Sequence, residues 1–357
     1  MVLSDDTFKQ LSHSIACVRF PLVFAILLLH CYSTCIIPDH VIYDKTLYPL
    51  AYWIGETGVP AYFFISGLLL FYSSKDYFQQ IKSRFRTLFV PYMIWNALLL
   101  LFYVALWMAG FHPEILFKSM DDYTWQDYVR CFWDRGVSDW GNTTPIMAPM
   151  WYIRNLMVMY LISPIIYFVI RVTGPILPIV CALFWINAHN VAFSLQTLTM
   201  FSLGAYFPIK DINPIDFWRQ YKNHILIIFL VLGVWDNFLH IVPINSSIAA
   251  MIGLPVHRLA LIANTFFVIW LGTFLYDRDW RFPNLSKAAF FIFCIHFPLM
   301  KIIRKQICKS HLEWSDGTHI IAYFISLAIV TFICYFMFKF LSRHWPWFIR
   351  VSTGGRG

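Results

Sequence analysis

The chain has 357 residues, of which 59% are hydrophobic, 19% aromatic and 13% charged, with 27 Lys and Arg against 19 Asp and Glu for a formal charge of +8. A soluble globular domain is about 45–50% apolar and about 25% charged, so this chain has too little polar surface to face water on all sides. The same figures exclude a disordered chain and a small disulfide scaffold, and they turn the basic excess into a question of charge placement along a membrane protein rather than a sign of nucleic-acid binding.

A helix of about 20 apolar residues spans a bilayer, and ten stretches are predicted to do so: 15–33, 51–73, 88–109, 150–170, 175–188, 194–208, 224–243, 249–276, 288–307 and 320–342. The first apolar run, Phe20 to Leu29, is followed by His30 and Cys31 rather than by a small-residue cleavage site, so it reads as a retained helix and not a secretory signal. The fifth and sixth stretches are short and bounded by Pro or Gly. Between the third and fourth lies the one long loop, Phe111 to Pro149, rich in Trp, Asp and Tyr. Loops of that length are usually functional or mobile, and this one is placed on the outer face, where it would cover or recognise an acceptor.

Basic residues of short loops favour the cytoplasm. With the N-terminus inside, 16 of them fall on the inner side and eight on the outer side, the exception being Lys301, Arg304 and Lys305 at the outer end of the ninth stretch. The expected fold is all-α and integral to the membrane, about ten helices in one bundle with both termini cytoplasmic: an N-terminal segment 1–14, a transmembrane domain 15–342 with the outer loop 111–149, and a tail 343–357. The eight cysteines show no CxxC pair and no metal-ligand spacing with histidine. They read as core residues, with Cys35, Cys131 and Cys308 placed where an outer-face disulfide would form. No metal is expected.

Three arginines, Arg19, Arg154 and Arg258, fall inside apolar runs. A charge at membrane depth costs several kcal/mol and marks a candidate functional site. His30 comes eleven positions after Arg19, three helical turns plus about 20°, so both lie on one face about 16 Å apart. One polar stripe thus joins the inner end of the first helix to its outer third. Snorkelling of Arg19 and a hydrogen-bonded core histidine are the plainer alternative.

The second stretch shifts that balance. It reads Gly58-Val59-Pro60-Ala61-Tyr62-Phe63-Phe64-Ile65-Ser66-Gly67 and leads to a basic loop, Lys82-Ser83-Arg84-Phe85-Arg86, before Pro91-Tyr92. With Trp151-Tyr152 opening a later helix and Phe293-Cys294-Ile295-His296-Phe297-Pro298 near the end, the chain from about residue 14 to 342 resembles the acyltransferase 3 family of multi-pass membrane acyltransferases. The resemblance is to the bare form, without a fused esterase-like domain. It implies a ten-helix bundle that takes an acyl group, most commonly acetyl from cytoplasmic acetyl-CoA as co-substrate, and places it on a hydroxyl of a cell-envelope saccharide in a bacterial inner membrane.

The resemblance makes His30 the catalytic histidine and Arg19 its paired arginine. A saccharide hydroxyl needs a base near neutrality, which histidine supplies; His30 as base and His30 as acyl carrier both fit. The phosphates of CoA need fixed positive charge, offered by Arg84 and Arg86 with Lys82 as a helper, at alternate positions where the family has two basic residues separated by two others. Glu56 is placed to orient His30, or else is a solvated interfacial carboxylate. Ser66 matches the second-helix motif and either touches the donor or lets helices approach closely. Trp151 and Arg154 are candidates for binding the saccharide, against an aromatic-belt anchor with a snorkelling arginine. Arg258 is expected to pair with Asp236 or to line the cavity, and His296 to make structural hydrogen bonds. The expected partners are acyl-CoA, the saccharide acceptor and the bilayer, with no nucleic acid; oligomeric state is not legible. A secondary transporter or flippase for an anionic envelope precursor is the alternative from another class, since intramembrane Arg and His also mark ion paths.

Overall fold

The computed structural model describes residues 5–35, 40–72, 76–115, 118–136, 138–139, 142–188, 192–241, 246–280, 283–310 and 313–355. The ends of the predicted terminal segments, 1–4 and 356–357, and the side chain of Cys308 lie outside the described residues. The fold is helical: α1 (Asp5–Ser33), α2 (Val41–Tyr48), α3 (Gly58–Tyr72), α4 (Tyr77–Arg84), α5 (Val90–Met108), α6 (Trp125–Arg130), α7 (Trp151–Thr173), α8 (Ile176–Asn187), α9 (Ala192–Ile209), α10 (Pro214–Gln220), α11 (Lys222–Ile241), α12 (Ser246–Asp277), α13 (Pro283–Ser310), α14 (Asp316–His344) and α15 (Pro346–Ser352). Chain from Val41 to Tyr72 is continuously helical, and so is chain from Tyr77 to Met108, each with one wider turn, at Pro49–Ile54 and Phe85–Phe89.

Among the described residues, eight helical segments are long and apolar enough to cross a membrane: Asp6–Ser33, Val41–Tyr72, Tyr77–Met108, Ala148–Thr173, Lys222–Ile241, Met251–Asp277, Pro283–Ile307 and Asp316–His344. The fifth and sixth predicted stretches are helical but do not reach that standard. The helix α8 has 12 residues, short of the roughly 20 a crossing needs, and α9 buries Gln196, Thr197, Thr199 and Ser202 in the protein interior. Membrane-facing surfaces are visible as apolar stripes at helical spacing: Leu161, Ile165, Phe168 and Val172 on α7, and Ile227, Val231, Val234 and Phe238 on α11, are all exposed.

Glycine sets the closest crossing. A Cβ on Gly67 of α3 would meet the carbonyl oxygen of Phe201 on α9, and a Cβ on Gly204 of α9 would meet that of Phe64 on α3. The two backbones therefore touch through reciprocal glycines, as helices in lipid do when small residues let them approach. Ser66 sits one residue from this crossing.

The loop predicted to be functional or mobile is a folded cap. Two short antiparallel pairs, β1 (Glu114–Ile115) with β2 (Lys118–Ser119) and β3 (Ser138–Asp139) with β4 (Asn142–Thr143), flank α6. Ile115, Met120, Cys131 and Ile146 form its core. Asp127 ties it together, accepting from Lys118 Nζ at 2.6 Å, from the Thr124 backbone N–H at 3.0 Å and from the Thr124 hydroxyl at 2.8 Å. The Lys118 ammonium first, and the Thr124 N–H next, hold the Asp127 carboxyl well below the usual carboxylate range. Asn96 and Trp107 of α5 anchor the cap through Met147 N–H at 3.1 Å and Asp121 at 2.8 Å.

Candidate functional site

A cavity of about 200 Å³ lies between α1, α3, α4, α7 and α13. Its walls are mostly apolar, and its polar groups are Arg19, Arg84, Ser66, Ser286 and the tyrosines Tyr62, Tyr152 and Tyr160. Among the described residues no carboxylate lines it. The volume is below the roughly 300–1,000 Å³ of a pocket that encloses a whole drug-sized ligand, so it suits a slender part of a longer molecule, with two guanidinium groups for an anionic portion.

Two stripes of this lining run at helical spacing. On α1 they are Ile15, Arg19 and Val23; on α13 they are Ser286, Ala289, Phe290 and Phe293. The next turn of α13 brings His296 and Phe297. On α1, seven residues beyond Val23 and about 10 Å further along the axis, comes His30. The two continuations meet: the His30 ring is 5.3 Å from that of His296 and 4.9 Å from that of Phe297, measured between centroids. His296 is fully buried, and its Nδ1 lies 2.8 Å from the Phe293 carbonyl oxygen and 3.1 Å from that of Ile292.

Of the sequence-predicted residues, the structure brings Arg19, Ser66 and Arg84 together in one lining. The Arg84 guanidinium lies 5.0 Å from the Tyr160 ring, which holds it over the cavity. Its neighbours Lys82 and Arg86 are exposed and are not part of the lining. The Ser66 hydroxyl donates to the Tyr62 carbonyl at 2.7 Å and stands 3.5 Å from the Tyr152 hydroxyl. Tyr62 in turn donates to the Arg19 carbonyl at 2.7 Å, fastening α3 to α1 beside the arginine.

Four expectations are corrected. Glu56 is 3.2 Å from Nε2 of His257, whose Nδ1 is 2.9 Å from Asp236, so the carboxylate serves His257 and not His30. The reason is local. Gly55 packs against the backbone of Ala25 and Leu29 on α1, and in the tight turn Gly55–Thr57 each residue advances about 120°, which carries the Glu56 side chain away from α1 and toward α12. Since His257 takes Asp236, Arg258 does not; it donates to the carbonyls of Trp185 and Ala188 instead, and it is absent from the cavity lining. Arg154 spends its donors on the cap, reaching the carbonyls of Trp133 and Thr143, the latter at 3.2 Å, and Asn155 at 3.2 Å, and its guanidinium stacks on Trp133 at 5.1 Å. Trp151 packs on Phe63 at 5.9 Å, while the cavity is lined by the next residue, Tyr152. The α13 stripe was not singled out from the sequence, although counting back from His296 in steps of three and four residues finds Phe293, Ala289 and Ser286.

Comparison with known proteins covers all of these residues. The acyltransferase 3 family model, described as an acyltransferase domain, matches residues 12–339. The chain is similar to a succinoglycan biosynthesis protein, ExoH, of Rhizobium meliloti (strain 1021), at 25% identity over 330 residues, 86% of this chain and 82% of that protein. No solved structure matches the chain.

Proposed function

This chain belongs to the acyltransferase 3 family, and on that premise we propose that it is a membrane O-acyltransferase that moves an acyl group, acetyl from cytoplasmic acetyl-CoA, to a hydroxyl of a cell-envelope saccharide in a bacterial inner membrane. Family membership makes it an acyltransferase and sets the transporter alternative aside. Similarity to a succinoglycan biosynthesis protein supports a saccharide acceptor. The observation that carries the reading is the line from the Arg19 and Arg84 end of the cavity, along the stripes of α1 and α13, to His30. A disulfide at Cys35, two residues beyond α1, suits an oxidising compartment at the His30 end, and the basic-residue bias suits a cytoplasmic Arg19 end.

On this reading Arg84 and Arg19 hold the donor's phosphates by charge-assisted hydrogen bonds, and the apolar walls take the arm that carries the thioester. His30 accepts the proton of the attacking hydroxyl. The hydroxyl oxygen bonds to the acyl carbon, the carbon–sulfur bond breaks, and His30 returns the proton to the departing thiolate. Ser66 and Tyr152, hydroxyl beside hydroxyl, steady the arm.

Acyl transfer from radiolabelled acetyl-CoA to envelope glycans in membrane vesicles tests the reading. Wild-type chain should label the glycans, and His30→Ala should fall by about 10²–10⁴-fold, the usual worth of a general base. Substantial turnover by His30→Ala would remove His30 from the chemistry. Label retained on the wild-type protein in the absence of acceptor, and lost from His30→Ala, would make His30 the acyl carrier instead of the base.

A further inference from the structure

We propose that His296 is a positioning residue for the transfer, fixing the tautomer and orientation of His30 by accepting its N–H; the proposal rests on His30 as the base. The argument begins with the bonds His296 already makes. Its Nδ1 faces two carbonyl oxygens, those of Phe293 at 2.8 Å and Ile292 at 3.1 Å. Carbonyls only accept, so the ring hydrogen is on Nδ1 and the lone pair of the neutral ring is on Nε2. That Nε2 is buried and has no hydrogen-bond partner among the described residues, in a side chain with no exposure at all. A buried acceptor of this kind is rare in proteins unless something is meant to reach it.

His30 is the neighbouring titratable ring, 5.3 Å away between centroids. Two imidazoles joined by an N–H···N bond of about 3 Å, each nitrogen about 1 Å from its ring centre, have centroids about 5 Å apart, and His30 and His296 stand at 5.3 Å. The two rings are tilted by 34°, and the proposed arrangement has an N–H of His30 directed at Nε2. The other nitrogen of His30 is then bare and takes the hydroxyl proton, and the imidazolium that results keeps its second N–H on His296. The proton that His30 gains passes to the leaving thiolate, while His296 keeps its own on Nδ1 throughout and neither gains nor loses one.

Two substitutions separate this role from a structural one. Glutamine reaches as far as Nε2 and puts an amide oxygen there. Asparagine reaches only to the place of Nδ1 and keeps a donor for the Phe293 and Ile292 carbonyls. Positioning predicts that His296→Gln stays within about tenfold of wild type in kcat and that His296→Asn loses about 10²-fold or more, with the KM for acetyl-CoA within about threefold in both, because the donor's arginines are untouched. A structural histidine predicts the reverse order, and His296→Asn at wild-type kcat would overturn the proposal. Thermal melting in detergent shows which variants are folded. If both melt early, nitrogen NMR of the histidine-labelled wild-type chain decides: the bare Nε2 resonance of His296 should move when His30 is changed to Phe, and an unmoved resonance overturns the proposal. Should His30→Ala remain active, it is the reading of His30 that fails; should His30→Ala be dead while the His296 series is flat, only this inference fails.

Discussion

Among the three cations of the basic run, only Arg84 lines the cavity, held against Tyr160 at 5.0 Å, whereas Lys82 and Arg86 are exposed. A charge-assisted hydrogen bond is worth about 1.5–3 kcal/mol, so Arg84→Ala should weaken CoA binding by about 10–100-fold, and Lys82→Ala and Arg86→Ala by less than about threefold, since exposed pairs contribute little. Calorimetric titration of the purified protein with CoA measures this, and a dominant effect of Arg86 would move the phosphate site off the cavity. The sequence shows three alternate basic residues but not which one turns inward, because that depends on the wider turn that ends α4 at Phe85. The Arg19 to His30 stripe was legible, since helical periodicity alone puts residues eleven apart on one face. Glu56 was not, because its direction is set by Gly55 seated on the backbone of α1, a contact that no local pattern encodes.

Helices interact here through features of opposite legibility. The crossing of α3 and α9 needs hydrogen atoms where Gly67 and Gly204 face each other's partner carbonyls. Gly67→Ala and Gly204→Ala should each destabilise the bundle by about 1–3 kcal/mol, the usual cost of overpacking, seen as a lower melting temperature in detergent; unchanged melting would mean that the crossing is looser than the glycines require. Hydropathy read along the sequence picks out ten stretches, but it averages over a window and so does not separate α9, whose buried Gln196 and Thr199 pack inside, from a lipid-facing span. The cap was legible only as a long polar interval, because its order comes from Asp127 bridging Lys118 and Thr124 across the chain. That carboxyl is held below its usual range, so its contribution is complete above the unfolded value of about 3.9 and fades as pH falls below it. The cap should resist protease from neutral pH down to about 5 and open in more acid solution. Asp127→Asn should make it sensitive already at neutral pH, and equal resistance of the variant would show that Asp127 is not what holds the cap.

At the scale of the whole molecule, the proposed transfer from acetyl-CoA to an envelope saccharide works only if the two ends of the cavity line face opposite compartments. The helix α5 joins α4, which brings Arg84 to the cavity, to the cap anchored at Trp107; its 19 residues separate these ends by about 28 Å, close to the thickness of a bilayer core. Exposed Phe78 on α4 and exposed Trp125 on the cap therefore report the two sides. Among the described residues, the thiols of Cys17, Cys31, Cys131, Cys181, Cys294 and Cys334 are all buried, so a cysteine introduced at either position stands out against a low background of labelling. Trp125→Cys should react with an impermeant thiol reagent in intact cells, and Phe78→Cys only after the membrane is opened. That outcome puts the arginines on the side where acyl-CoA is made and the His30 end toward the envelope. The opposite pattern would put the two arginines where no acyl-CoA is found, and it would overturn the donor assignment even if His30 proved essential.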